Sequence, residues 1–219
     1  RTPLAALQSQ VEAWALKAQA EPSQSITLGY GQVEQLRRAS RRTTQLAQQL
    51  LLLSRVESGH AGTHQEVQRV DIKNLCEDLF ELFLDQALAK DLDLGLDAKT
   101  AHVSGQEWLL REMISNILDN AIKYTPPRGQ ITLRCGRRAA AAGACGRLRV
   151  FVEVEDNGPG VDASEYSHLT KRFYRLAGNA ADGSGLGLAI VQHIAQAHQA
   201  QLQFGCGANG RGLRVLLVF

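Results

Sequence analysis

The chain has 219 residues, 44% of them hydrophobic, and a formal net charge of +2. This length suits one large domain or a domain with an added helical module, and the hydrophobic fraction supports a real core. This net charge is too small to argue for nucleic-acid binding. A membrane span needs about 18 consecutive apolar residues, and no apolar run in the sequence is that long.

The first 60 residues predict a helical hairpin. A turn signal at 21–25 separates a first helix over 4–20 from a second one that runs from Ser25 to Glu57. A lone hairpin leaves its apolar stripe partly uncovered, so we expect a dimeric four-helix bundle, with packing against the rest of this chain as the alternative. The stripe of the first helix consists of Leu4, Leu7, Val11 and Trp14.

The rest of the chain predicts a short linker and a mixed domain. Polar residues at 61–69 indicate the linker, and the domain covers 70–219. The order of the elements predicts an α+β fold: a two-layer α/β sandwich with a mixed, mainly antiparallel sheet. Helices are predicted at 73–89, 106–124 and 186–198, strands at 91–97, 131–135, 148–155, 201–204 and 213–219, and a loop at 137–147.

Four cysteines are spread along the sequence without a CxxC spacing. We therefore expect buried or surface thiols rather than a metal site or a disulfide. They are Cys76, Cys135, Cys145 and Cys206.

One predicted helix carries Glu112, Asn116 and Asn120 at intervals of four residues, which places three polar groups on one face. Asparagine is a poor helix former, so two of them need a reason. A solvated face would explain this helix alone, but the motifs that follow favour a site. The amide oxygen of Asn120 is a ligand type that Mg²⁺ prefers. The Lys123 ammonium can meet a phosphate, and Tyr124 offers a ring on which a purine can pack.

Two glycine-rich stretches, which lie 23 residues apart, indicate a nucleotide site. Asp156 ends an apolar strand, and its carboxylate, which only accepts hydrogen bonds, favours the amino group of adenine. Gly158 and Gly160, followed by Val161, leave room for the base and the sugar. The second stretch leads into a predicted helix whose amides and dipole favour phosphates. Its residues are Gly183, Ser184, Gly185, Leu186, Gly187 and Leu188.

A basic and aromatic segment lies between the two glycine-rich stretches. Phe173 stands among the cationic residues Lys171, Arg172 and Arg175, and small residues follow them. We expect a mobile lid whose cations reach the γ-phosphate of a bound nucleotide.

Together these motifs resemble those of the sensor histidine kinases of two-component systems. Asn116 and Asn120 match the N box of that family, Asp156–Gly160 its first glycine box, Phe173 its F box and Gly183–Gly187 its second glycine box. The resemblance covers nearly the whole chain. It implies a Bergerat-type ATP-binding sandwich and a dimerisation and histidine-phosphotransfer hairpin. It also implies that Asn116 stands where related ATPases carry the glutamate that activates water.

The resemblance also bears on the phosphoacceptor. Family members carry the acceptor histidine three positions before the residue that corresponds to Arg1, so we expect the histidine, and the acidic residue after it, upstream of this chain. We expect the chain to be a fragment that cannot phosphorylate itself. Thr2 matches a position tied to dephosphorylation of the partner regulator. The histidines present, which we expect to be structural, are His60, His64, His102, His168, His193 and His198.

The function implied is that of the cytoplasmic kinase core of a bacterial inner-membrane sensor. Such a core binds Mg-ATP, works as a homodimer, and passes a phosphoryl group to a histidine and on to an aspartate of a response regulator receiver domain. Membrane contact would come only from segments upstream. Two alternatives stay open: an ATP-hydrolysing clamp of the gyrase and Hsp90 kind, which needs a glutamate base, and a non-enzymatic dimerisation or docking module.

Overall fold

The computed structural model describes residues 9, 11–16, 29–57, 67–139, 148–176 and 184–219. The chain divides into two compact units, Arg1–Leu52 and Leu53–Phe219. None of the helices in the described ranges combines the length and the apolar character that a membrane crossing requires.

The described residues of the first unit are mainly helical. Residues 9 and 11–16 are helical, within the first predicted helix, and α1 (Tyr30–Glu57) confirms the second. Glu34 pairs with Arg37 at 3.0 Å and with Arg38 at 3.5 Å, the spacing at which a helix brings opposite charges together. The turn predicted at 21–25 lies outside the described residues.

The second unit contains a five-stranded sheet and a two-stranded one. The larger sheet has the order β2 (Asp93–Ala98), β4 (Gln130–Ala139), β5 (Leu148–Asp156), β7 (Leu213–Val218) and β6 (Gln201–Cys206). Strands β2 and β4 are parallel, and the other neighbours are antiparallel. This confirms the predicted mixed, mainly antiparallel sheet. The elements are β1 (Gln68–Asp71), α2 (Ile72–Ala89), β2 (Asp93–Ala98), β3 (His102–Gly105), α3 (Glu107–Tyr124), β4 (Gln130–Ala139), β5 (Leu148–Asp156), α4 (Gly187–Ala197), β6 (Gln201–Cys206) and β7 (Leu213–Val218).

Three features differ from the prediction. Strands β1 and β3 were not predicted, because four residues each are too few to show a period. Within the described ranges they pair only with each other. As a result β1 begins at Gln68, inside the predicted linker. Strand β4 continues to Ala139, through the first residues of the predicted loop, because it pairs with β5 as far as Ala139 opposite Leu148.

The core of the second unit lies between the larger sheet and its helices. Alternate residues of β4 and β5, including Leu133 and Val154, are buried on the helix side. On the opposite face Arg134 bonds to Glu153 at 3.0 Å and to Glu155 at 2.5 Å. This alternation gives the two layers of the predicted sandwich. The helices contribute fully buried side chains, among them Leu79, Leu110, Met113, Ile114, Leu118 and Ile190.

The C-terminal end of α3 is held by a lysine from the loop before β2. Lys90 Nζ donates to the carbonyl oxygens of Ile122, at 2.7 Å, and of Lys123, at 2.8 Å. These carbonyls have no partner within the helix, and a cation there also complements the helix dipole. Burial lowers the pKa of Lys90. The contact fixes the last turn of α3, which carries Lys123 and Tyr124.

The described cysteines are free thiols, as predicted. Cys76 and Cys135 are buried, and Cys206 is exposed. The hydrogen bond to Cys135, followed by burial, raises the pKa of Cys76. Cys145 lies outside the described residues.

Candidate functional site

The two asparagines of α3 face the first residue of α4. A Cβ added to Gly187 would lie 3.1 Å from Asn116 Oδ1 and 3.5 Å from Asn120 Nδ2. Helix α4 begins after Leu186 without a side-chain cap, so the backbone N–H groups of its first turn are available to a ligand. The fold thus joins the N-box match to the second glycine-box match, and Gly187 keeps the space between them open.

A glutamate orients Asn116. Asn116 Nδ2 donates to the backbone oxygen of Glu112 and to Glu112 Oε1, both at 2.9 Å. The asparagine is only 9% exposed. Its carboxamide therefore has one defined orientation, in which the oxygen points toward α4.

Asp156 lies at the end of β5, with its carboxyl group in the buried interior. Its Oδ1 accepts hydrogen bonds from the backbone N–H of Gly158 at 2.9 Å and of Leu213 at 3.3 Å. Burial raises the pKa of Asp156 despite these two hydrogen bonds. Both hydrogen bonds go to Oδ1, so Oδ2 is the oxygen that can accept from a ligand amino group.

The loop after Asp156 packs on the end of α3. A Cβ on Gly158 would lie 3.3 Å from the backbone oxygen of Tyr124. The side-chain oxygen of Asn157 accepts from the N–H of Gln130 at 2.7 Å, which anchors the loop to β4. Tyr124 and Val161, which directly follows Gly160, are both half-buried. These contacts bring the first glycine-box match and the aromatic end of α3 together.

Sequence reasoning missed Gly212. It has φ +74°, and a Cβ there would lie 1.7 Å from the backbone oxygen of Asp156. Gly160, also at φ +74°, would place a Cβ 2.8 Å from the oxygen of Gly212. Gly212 is the last of four glycines in the run 205–212, just before β7, and this third glycine-rich stretch is the signal that sequence reasoning passed over.

The basic and aromatic segment is attached to the second glycine-rich stretch. The N–H of Phe173 donates to the oxygen of Gly185 at 2.9 Å, and a Cβ on Gly185 would lie 2.7 Å from the carbonyl carbon of Phe173. Ser184 Oγ accepts from the N–H of Leu186 at 3.1 Å. The Phe173 side chain is 61% exposed although its backbone is held.

The three cations of this segment, Lys171, Arg172 and Arg175, are exposed. Lys123 is half-buried, with Nζ 5.6 Å from the centre of the Tyr124 ring. Two predicted site residues, Gly183 and Thr2, lie outside the described residues.

Each described histidine makes a contact within the fold. His198 Nε2 accepts from the N–H of Gln106 at 3.2 Å. His193 and His198 place Nδ1 at 2.7 and 2.9 Å from the carbonyl oxygens one turn earlier. His102 faces Asp71 at 3.6 Å, and His168 faces Glu165 at 3.5 Å. In the described ranges no group of three or more His, Cys, Asp or Glu side chains is placed to hold a metal ion.

Comparison with known proteins gives concordant matches. The family model described as histidine kinase-, DNA gyrase B-, and HSP90-like ATPase matches residues 105–219. The sensor protein kinase PmrB of Pseudomonas aeruginosa is 34% identical over 216 residues, which are 98% of this chain and 42% of PmrB. The sensor protein QseC of Escherichia coli is 34% identical over 214 residues, which are 96% of this chain and 43% of QseC. The chain thus spans less than half the length of these relatives.

A solved structure has the same fold. Full-length ShkA in complex with AMPPNP superimposes with a TM-score of 0.68 at 24% identity, covering 100% of this chain and 46% of ShkA.

Proposed function

The chain belongs to the histidine kinase-, DNA gyrase B-, and HSP90-like ATPase family, its relatives are sensor protein kinases, and we propose that it is the ATP-binding and phosphotransfer core of such a kinase. The observation that carries the proposal is the amide of Asn116 at the N-terminus of α4. An amide cannot take a proton from water, and the carboxylate one turn earlier, Glu112, is engaged by that amide. Among the described residues, this position therefore gives water no base, which supports transfer of the phosphoryl group to a protein nucleophile.

Adenine recognition is assigned to Asp156. The ionised carboxylate offers Oδ2 as an acceptor to the exocyclic amino group, while its Oδ1 is held by the loop backbone. Gly158, Gly160 and Val161 line the adjoining space, and the Tyr124 ring provides a surface for the purine. The loop contacts reported above support this assignment.

Phosphate recognition is assigned to the N-terminus of α4. Its backbone N–H groups and helix dipole favour negative charge, and Lys123 adds a cation from α3. This stretch comprises Gly183, Ser184, Gly185, Leu186, Gly187 and Leu188.

Asn120 is the proposed protein ligand for Mg²⁺. Its carboxamide lies beside the helix N-terminus, within 3.5 Å of the Cβ position of Gly187, and would turn to present its oxygen. Mg²⁺ usually takes only one or two protein ligands together with phosphate oxygens, so the site suits it. When bound, the ion neutralises charge on the phosphates.

The segment that contains Lys171, Arg172 and Arg175 is the proposed lid. Its cations are exposed and can turn toward a γ-phosphate, while the Phe173 backbone is held on Gly185. Such a lid would stabilise charge on the transferring group and exclude water.

The acceptor is proposed to be a histidine upstream of Arg1, from which an aspartate of a response regulator receives the phosphoryl group. The contacts made by the four described histidines support this, because each of them is engaged within the fold. Dephosphorylation of the regulator, with Thr2 as the contributing residue, belongs to the same proposal.

A homodimer through the N-terminal helices is part of the proposal. In the described part of α1, Val33, Leu50 and Leu51 are 47, 46 and 59% exposed, and a second copy would cover them. The core would lie in the cytoplasm, and the inner-membrane and sensing segments would belong to the part of the protein outside this chain. No nucleic-acid partner is proposed.

Labelling with γ-³²P-ATP tests the proposal. We expect a longer protein with its natural residues upstream of Arg1 to become labelled on histidine, with an acid-labile, alkali-stable phosphate. The 219-residue chain should bind AMPPNP in calorimetry without becoming labelled. Asn120→Ala should lower labelling about 100-fold, which is the upper end of the loss of activity seen when a metal site loses a supporting residue. Asp119→Ala on the same helix should leave labelling unchanged.

Two results would contradict the assignment. Label on a histidine of the 219-residue chain would place the acceptor inside it. Steady release of phosphate without protein labelling would instead indicate an ATP-hydrolysing clamp.

A further inference from the structure

We propose that Glu112 is a positioning residue that fixes the Asn116 carboxamide as a hydrogen-bond acceptor toward the nucleotide site. This inference rests on the proposed function, because it assumes that a nucleotide binds at the N-terminus of α4. It concerns which atom of Asn116 the ligand meets, and how the fold determines that.

Both amide hydrogens of Asn116 are used within α3. Nδ2 lies 2.9 Å from the backbone oxygen of Glu112 and 2.9 Å from its Oε1. Glu112 lies one helical turn before Asn116, the spacing at which two side chains on a helix meet. The second hydrogen bond has an ionised acceptor, which makes it stronger than a bond between two neutral groups.

The reverse orientation of the carboxamide is unfavourable. Rotation by 180° would place Asn116 Oδ1 against the Glu112 carboxylate and backbone oxygens, so that acceptors would face acceptors. Asn116 is 9% exposed, so water offers little compensation. The oxygen of Asn116 is thereby directed away from Glu112.

The direction of that oxygen is toward α4. Asn116 Oδ1 would lie 3.1 Å from a Cβ on Gly187, whereas its Cγ would lie 3.8 Å away. Asn116 therefore offers an oxygen to the site and no N–H. A phosphate oxygen is itself an acceptor and gains nothing from this atom, but a divalent cation or a water bound to it does.

Asn120 differs from Asn116 in this respect. Its Nδ2, not its oxygen, lies closer to Gly187, at 3.5 Å from the Cβ position, and no hydrogen bond within the described part of the chain fixes its carboxamide. The two asparagines of one helix face are thus unequal, since one is held in place by a neighbour and the other can turn. Glu112 is the residue that makes the difference.

Variants at Glu112 test the role in the 219-residue chain. Glu112→Met keeps the length of the side chain but removes the acceptor, and Glu112→Gln keeps an acceptor oxygen. AMPPNP affinity is measured by calorimetry with and without Mg²⁺. We expect Glu112→Met to weaken the Mg²⁺-dependent gain in affinity about tenfold, as loss of a residue that orients a metal ligand does. Glu112→Gln should stay within about threefold of the unmodified protein, because its oxygen can still accept the Asn116 hydrogen bond.

The side-chain amide protons of Asn116 give a second readout that does not depend on affinity. In the unmodified protein without nucleotide, nuclear magnetic resonance should show both protons exchanging slowly with water, and in Glu112→Met one of them should exchange faster. Asp119→Asn is the matched control, because it removes a carboxylate from the same helix that makes no hydrogen bond to Asn116 among the described contacts. It should change neither the exchange nor the Mg²⁺ dependence.

Each outcome is distinct. An unmodified protein that does not bind AMPPNP contradicts the proposed function itself. A protein that binds, but in which Glu112→Met leaves the Mg²⁺ dependence and the amide exchange unchanged, overturns the positioning role. If Glu112→Met does not fold, fast exchange of both Asn116 protons in the unmodified protein still overturns the inference.

Discussion

Asp156 faces two opposing demands. Burial disfavours its ionised form and raises its pKa, yet the proposed recognition of adenine favours the ionised form, in which both oxygens only accept hydrogen bonds. Two backbone N–H groups on Oδ1 offset part of the burial. Recognition therefore costs the fold some stability, a trade that is common at binding sites.

The change Asp156→Asn should separate the two demands. Asparagine can still accept from Gly158 and Leu213, but it can place a donor where adenine presents its amino group, so AMPPNP affinity should fall at least about tenfold.

The same change should alter how stability depends on pH. Below the ordinary pKa of aspartate, the Asp156 carboxyl is protonated in both the folded and the unfolded state, so its burial does not lower the free energy of unfolding. Above the raised pKa the cost is complete. The variant should therefore equal or exceed the original stability at pH 7, and this gain should vanish as the pH falls.

Urea unfolding across pH and calorimetry with AMPPNP measure the two effects. Asp162→Asn is the control for affinity, since that exposed carboxylate bonds only to Ser164 among the described contacts. A marked loss of stability in Asp156→Asn at pH 7 would show that the carboxylate holds the loop by its charge.

At the scale of elements, the loop after β5 and the turn before β7 pack against each other. Gly212 lies against the backbone of Asp156, and Gly160 lies against Gly212. The turn before β7 therefore shapes the surroundings of Asp156, the proposed adenine end of the site, although it contributes no side chain. The hydrogen bond from Leu213 to Asp156 continues the same contact.

Gly212→Ala and Gly210→Ala form a matched pair for this contact. Both glycines have similar positive φ, of +74° and +72°, but a Cβ would meet backbone at 1.7 Å at Gly212 and nothing within 4 Å at Gly210. The left-handed conformation costs alanine about 1–2 kcal/mol at either position, and overpacking adds about 1–3 kcal/mol at Gly212 alone. Urea unfolding should therefore show a loss on the order of 2–5 kcal/mol for Gly212→Ala and about 1–2 kcal/mol for Gly210→Ala. Equal losses of stability in the two variants would mean that the turn before β7 shifts to accommodate the added Cβ of Gly212→Ala without a further loss of stability.

The elements also show how far the sequence predicts this molecule. Helices α3 and α4 and strand β5 are clear in the sequence, because their apolar periods are long and their polar residues belong to a recognisable motif. Strands β1 and β3 were not predicted because each has only four residues. Gly212 was not predicted because the requirement for glycine there comes from contact with the backbone of Asp156, which is distant in sequence. The orientation of Asn116 requires hydrogen bonds that a spacing of four residues permits but does not specify.

For the molecule as a whole, the described buried hydrophobic residues lie between Val70 and Val218. The second unit therefore contains a core of its own. The site residues from Asn116 to Leu188 all belong to the same unit. Nucleotide binding should not need the N-terminal helices.

A shortened chain that starts at Val67 should thus fold and bind. We expect AMPPNP affinity within about twofold of that of the 219-residue chain, since separate units contribute independently. At 100 times its dissociation constant the analogue should stabilise the shortened chain by about 2.7 kcal/mol, seen as a higher melting temperature. At the same AMPPNP concentration, Asp156→Asn in the shortened chain should remove about half of that stabilisation or more, since a tenfold weaker affinity leaves about 1.4 kcal/mol. A shortened chain without a cooperative transition would show that the first unit completes the core.

The contact between Gly160 and Gly212 has a consequence for inhibitor resistance. A compound that bonds to the carbonyl and amide groups of these turns contacts atoms common to every amino acid. A substitution at Gly212 intended to block the compound would push a side chain into the Asp156 carbonyl and lower the amount of folded kinase. Few single substitutions at the contact between Gly160 and Gly212 would block such a compound and still leave a folded enzyme. Resistance mutations would therefore have to arise elsewhere in the site.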